Sequence, residues 1–134
     1  EAVNIHLQKK YAEICKNEVR FEEIQTEDAE YLLVAYGLSA RISHKTLELA
    51  REKGLKIGLL RPITLYPFPY ERLNELAGKV RGMLTVELNA GQMVEDVRLA
   101  VEGKTKVAHY GRMGGIIPGP DEILENLELL MKGK

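Results

Sequence analysis

The apolar positions of this chain change period several times, and each change marks an element. Val3, Leu7, Tyr11 and Ile14 recur at spacings of four, four and three, which predicts an amphipathic helix reaching about Val19. Residues 20–25 alternate in part and read as a strand. Residues 26–30 are a short polar connection. Residues 31–36 form a continuous apolar run, the pattern of a strand covered on both faces. So short a connection reverses the chain, so the first strand runs antiparallel to the second. It does not make the two neighbours.

From there strands and helices alternate. Gly37 and Leu38 read as a turn, and Ser39 as the N-cap of a helix over residues 40–53, closed by Gly54. Residues 56–60 read as a strand and residues 61–68 as an irregular loop. Pro69 fits the first turn of a helix on Leu73, Leu76, Ala77 and Val80. Then come a strand over 83–87, a helix over 91–102, a strand over 105–110 and a glycine-rich loop over 111–119. Pro120 opens a last helix on Ile123, Leu127 and Leu130, with Asp121 and Glu122 complementing the dipole of its first turn. Strands separated by helices of this length predict βαβ units. The expected fold is α/β: a three-layer α/β/α sandwich on a sheet of about five strands, mostly parallel, with one antiparallel strand.

Composition narrows the function classes. The 134 residues suit one domain, expected as a leading helix over 1–19 and a sandwich over 20–134, excised from a longer subunit. With 19 basic and 20 acidic residues, the net charge of −1 gives no reason to expect nucleic-acid or anionic-membrane binding. No apolar run has the length of a bilayer span, and no signal-peptide pattern opens the chain. The only cysteine, Cys15, excludes an internal disulfide or a cysteine-based metal site, and a reducing, cytoplasmic setting fits. Its place in the first helical pattern predicts a buried, unreactive thiol.

In open parallel sheets, function collects at the carboxyl ends of the strands. Four segments are expected there. Gly37, Ser39 and Arg41 make a turn able to hold an anion, although an ordinary cap with a solvated arginine explains them as well. Arg61, Pro62, Ile63, Thr64, Leu65, Tyr66, Pro67, Phe68 and Pro69 form a stiff loop too apolar to face water. It must fold onto the core or be covered by another domain. Glu87, Asn89, Gly91 and Gln92 put polar groups where a strand ends and a helix begins. Asn89 is the expected helix cap, and Glu87 an acceptor for neighbouring loops. Arg112 is the one cation of the last, glycine-rich loop. His6, His44 and His109 are scattered, with no metal-ligand spacing and no nucleophile elbow. Catalytic residues and metal ligands are therefore expected to be none.

Three stretches in order carry a resemblance: Leu33-Val-Ala-Tyr-Gly37, Leu60-Arg-Pro-Ile-Thr-Leu-Tyr-Pro-Phe-Pro69 and Val86-Glu-Leu-Asn-Ala-Gly-Gln92. Together they resemble the α subunit of 2-oxoacid:ferredoxin oxidoreductases of the 2-oxoglutarate and branched-chain types. The matching region there is similar to the carboxy-terminal domain of transketolases, with a mixed five-strand sheet and another strand between the first two. The resemblance implies a thiamine-diphosphate enzyme with magnesium, iron–sulfur clusters and coenzyme A, which makes an acyl-CoA and reduces ferredoxin. It implies as partners a pyrimidine-binding domain on the same subunit and a thiamine-binding β subunit. This chain then holds no cofactor and serves packing and assembly, through the proline-rich loop and residues 87–92.

Two other readings compete. One is a regulatory module binding phosphate, another small anion or coenzyme A through Ser39, Arg61 and Arg112. The other is a free-standing flavodoxin-like carrier, disfavoured by the absence of tryptophan.

Overall fold

In a computed structural model, which describes residues 1–133, the chain builds one five-stranded sheet with helices on both sides. The elements in order are α1 (Ala2–Asn17), β1 (Phe21–Ile24), β2 (Tyr31–Ala35), α2 (Gly37–Glu52), β3 (Ile57–Pro62), α3 (Tyr70–Ala77), β4 (Gly82–Glu87), α4 (Met93–Val101), β5 (Lys106–Gly111) and α5 (Pro120–Met131). The strand order is β1-β3-β2-β4-β5. Only β1 runs antiparallel, against β3, and β2–β3, β2–β4 and β4–β5 are parallel. The short connection after β1 therefore crosses an edge, with β3 between the first two strands.

Alternation along the strands divides the core. Leu32, Val34, Leu60 and Met83 point to one face and pack on Leu73 and Leu76 of α3 and Val97 and Val101 of α4. Leu33, Ala35, Leu59, Leu84 and Val86 point to the other and pack on Leu47 and Ala50 of α2 and Ile123, Leu127 and Leu130 of α5. These are the side chains the periodicity picks out, and they make the expected three layers. Each fully buried leucine or valine contributes about 1.5–3 kcal/mol of transfer free energy.

Several features differ from the sequence reading. The chain enters α2 at Gly37, so Ser39 is not a cap; it lies buried within the first turn. Gly37 adopts φ of 56°, which turns the chain from strand to helix in one residue. Arg61 and Pro62 belong to β3, not to the loop. Pairing of β3 with β2 stops at Val34↔Leu60, but β1 continues it through Glu22↔Arg61 and Phe21↔Pro62. Finally, α1 buries no residue, so Cys15 is exposed, contrary to the expected buried thiol. Its helical period is real, but the sandwich core lies elsewhere.

Candidate functional site

The carboxyl ends of β2, β3, β4 and β5 bring together the four expected segments. The third is the most ordered. Glu87, the last residue of β4, is fully buried, and its carboxylate accepts hydrogen bonds from the N–H groups of Gln92 (3.2 Å), Met93 (2.8 Å) and Val94 (3.1 Å). Those groups are the unpaired donors at the start of α4, so Glu87 caps that helix and its charge meets the positive end of the dipole. Asn89 does not cap α4. It lies too early and instead accepts from Gly91 N–H at 2.8 Å, closing a small turn. Gly91 sits at φ of 113°, a conformation other residues rarely adopt.

His109 on β5 completes this corner. Its Nδ1 lies 3.2 Å from Thr85 Oγ1 and 3.4 Å from Glu87 Oε2. Thr85 donates its one hydroxyl proton to the Ala108 carbonyl (3.1 Å), which assigns the ring proton to Nδ1 of His109. The neighbouring backbone packs tightly: a Cβ on Gly111 would stand 2.1 Å from the Asn89 carbonyl oxygen and 2.7 Å from His109 Nε2. The corner is a structural joint between β4, α4 and β5. An exogenous anion has no place at the start of α4, because the chain's own carboxylate fills it.

The fourth segment is organised by a residue the sequence reading placed only as a dipole partner. The Glu122 carboxylate accepts from Tyr110 OH (2.9 Å), Arg112 Nη2 (2.9 Å) and Gly119 N–H (3.2 Å). The Tyr110 hydroxyl, followed by the Gly119 N–H and the Arg112 charge, holds its carboxyl below the ordinary carboxylate range. Burial, with the bond to Glu122, pushes the Tyr110 hydroxyl up. Three contacts thus clamp the base of the loop, and one of them is a guanidinium N–H of Arg112. The tip carries Met113, Ile116 and Ile117, each more than half exposed. A glutamate three residues after Gly119, beside proline, is the sequence signal that would have found this clamp.

The proline-rich loop divides in two. Phe68 turns inward and is buried, while Ile63, Leu65 and Tyr66 remain exposed. The loop is fixed from below: Thr64 Oγ1 donates to the Pro67 carbonyl (2.8 Å) and accepts from Arg20 N–H (3.0 Å). Pro69 caps α3 rather than opening it. Arg61 pairs with Glu22 at 3.1 Å across the sheet edge. No hydrogen bond links Ser39, Arg41 and Arg112, and among the described residues no three histidine, cysteine, aspartate or glutamate side chains converge as metal ligands. One cysteine also cannot supply the thiolates of an iron–sulfur cluster. Among the described residues, these side chains do not make a metal or cluster site. What the edge offers is apolar surface: Leu38, Ile63, Leu65, Tyr66, Leu88, Met113, Ile116 and Ile117 are all exposed. Among the described residues, no helix is long and apolar enough to cross a membrane.

Comparison with known proteins fits this geometry. Residues 29–123 match the family model of pyruvate:ferredoxin oxidoreductase core domain II. The chain is 46% identical over 127 residues to the ketoisovalerate oxidoreductase subunit VorB of Methanothermobacter thermautotrophicus, which covers 95% of this chain and 36% of that subunit. It is 34% identical over 102 residues to the 2-oxoglutarate synthase subunit KorA of Methanothermobacter marburgensis, covering 76% of this chain and 27% of that one. The chain thus spans about a third of the length of the curated relatives it matches. Among solved structures, a 2-oxoglutarate:ferredoxin oxidoreductase from Magnetococcus marinus superposes with a TM-score of 0.73 at 20% identity, over 82% of this chain and 19% of that one. A split-gene transketolase superposes with a TM-score of 0.71 at 14% identity, over 84% and 41%. These two establish the fold, and the sequence matches establish descent: the chain belongs to the pyruvate:ferredoxin oxidoreductase core domain II family, together with the VorB and KorA subunits of 2-oxoacid oxidoreductases.

Proposed function

We propose that this chain is a single non-catalytic assembly domain of a cytoplasmic 2-oxoacid:ferredoxin oxidoreductase, with its strand-end edge covered by the rest of the enzyme. The observation that carries the reading is the contrast at that edge. Its polar groups are spent on holding backbone, as Glu87 and Glu122 do, while a ring of large apolar side chains faces outward. Large exposed apolar patches commonly mark surfaces that another protein covers. In this reading Ile63, Leu65, Tyr66 and the turn over 87–92 meet a pyrimidine-binding domain of the same subunit and a thiamine-binding β subunit. Thiamine diphosphate, magnesium, the iron–sulfur clusters, coenzyme A and ferredoxin are handled by those other parts.

Reconstitution tests it. The isolated chain is expected to fold, to turn over no 2-oxoacid and to leave thiamine diphosphate unbound in calorimetry. Supplied with the remaining parts of a ketoisovalerate-type oxidoreductase, it is expected to co-elute with them on gel filtration. Ile116→Asp with Ile117→Asp should abolish that co-elution. Tight thiamine diphosphate binding by the chain alone would end the non-catalytic reading, and co-elution indifferent to the substitutions would end the interface.

A further inference from the structure

The strand β5 closes one edge of the sheet, with β4 on one side and no strand on the other. Along such a strand, successive residues aim their backbone N–H and C=O groups to opposite sides. The Arg112 N–H donates to the Glu87 carbonyl at 3.2 Å, and the Ala108 carbonyl accepts from Thr85 Oγ1 at 3.1 Å. Even-numbered residues therefore face β4. Val107, His109 and Gly111 aim both backbone groups away from the sheet, and among the described residues nothing hydrogen-bonds to them there. Sheet edges are commonly blunted by shortness, proline or a bulge. This edge runs six residues without proline, in unbroken register from Gly82↔Lys106 to Glu87↔Gly111.

We infer that an extended acidic segment from the rest of the oxidoreductase adds to the sheet along β5, pairing with the three outward donors and three outward acceptors. Charge selects the partner. Residues 103–119 hold Lys104, Lys106 and Arg112 and no carboxylate. Arg112 is met by Glu122, but Lys104 hydrogen-bonds the neutral side chain of Asn74 and keeps its charge. A second copy of this chain does not fit. Antiparallel about His109, it would set Lys106 opposite Arg112, and like charges so placed repel. The other edge strand is no better, because Glu22 and Glu23 of β1 are held by Arg61 and Arg72. Past Gly111 the chain runs straight into the tip that exposes Met113, Ile116 and Ile117, so one partner can cover both. The inference rests on the assembly reading above and adds to it a mode of contact.

Amide hydrogen exchange, read residue by residue, tests it on the chain alone and with the remaining parts of a ketoisovalerate-type oxidoreductase. Alone, Ala108, Tyr110 and Arg112 should exchange slowly, and Val107, His109 and Gly111 fast. In the co-eluting complex the latter three should slow by at least about tenfold. Val107→Pro removes one outward donor and no bond to β4, a change that edge strands tolerate. It should weaken capture of the chain by at least about tenfold, whereas Val107→Ala, which keeps the donor, should not. Lys104→Glu should weaken capture as well. Co-elution with the three amides still fast overturns the inference and leaves the assembly reading standing; no co-elution at all ends both. Capture indifferent to Val107→Pro also overturns it. Protection that grows in the chain alone with its concentration overturns it in favour of a second copy. The exchange readout on the unaltered chain decides the matter even if proline disturbs the fold.

Discussion

At the scale of single residues, buried and half-buried carboxylates do most of the polar work. Glu87 satisfies three donors that would otherwise be buried and unpaired. Glu87→Ala is expected to cost about 2–3 kcal/mol, the loss of a cap plus stranded N–H groups, read by urea denaturation. Glu87→Gln should fall between, since the amide keeps one acceptor but adds donors facing donors. Glu122 and Tyr70 have opposite pH signatures. The folded state depresses the Glu122 carboxyl, so its contribution is present above the ordinary carboxylate range and is lost as pH falls through the lowered value. Glu122→Gln should flatten that acid limb of a stability–pH curve. Tyr70 OH lies 2.5 Å from Asp96, and this bond, with burial, pushes its pKa up from 10.0 to about 12. Its contribution is present below the unfolded value and fades as pH rises from there through the folded one. Phenolate absorbance should show a component titrating at about 12, and Tyr70→Phe should remove that component.

At the scale of elements, the sandwich and α1 obey different rules. Substitutions in α1 such as Val3→Ala or Ile5→Ala should stay within about 0.5 kcal/mol in dilute solution, because they remove no buried contact. Leu73→Ala or Leu127→Ala, at fully buried positions, should cost about 2–5 kcal/mol in the same denaturation experiment. The hydrophobic period predicted both kinds of helix equally well, since it reports that a helix has an apolar face and not what covers it. That is why the buried placement of Cys15 failed while Ile123, Leu127 and Leu130 were placed correctly. Strand ends were blurred for a related reason. Whether Arg61 and Pro62 belong to β3 depends on β1, a partner distant in sequence. The cap of α4 was legible only as a cluster of polar residues. Choosing Glu87 over Asn89 takes knowledge of where β4 stops and α4 begins, which the hydrophobic period alone does not fix.

At the scale of the whole molecule, the asymmetry between a well-packed sandwich and an apolar strand-end edge remains. Covering Leu65, Ile116 and Ile117 removes them from water at about 25 cal/mol per Å² of apolar area, a gain unavailable to the chain alone. Nothing in the core depends on them, so folding and assembly should respond separately to the same change. With Ile116→Asp and Ile117→Asp in the isolated chain, the denaturation midpoint should shift by no more than about 0.5 kcal/mol. Fluorescence of a dye that reports exposed apolar surface should fall. The clamp around Glu122 makes the pair a clean probe, because Tyr110, Arg112 and Gly119 hold the loop base without help from its tip. If the pair unfolds the chain instead, the tip is part of the core and the edge was never a free surface. If dye binding is unchanged, the exposed apolar area that motivates assembly lies elsewhere on the molecule, and α1 is the next place to look.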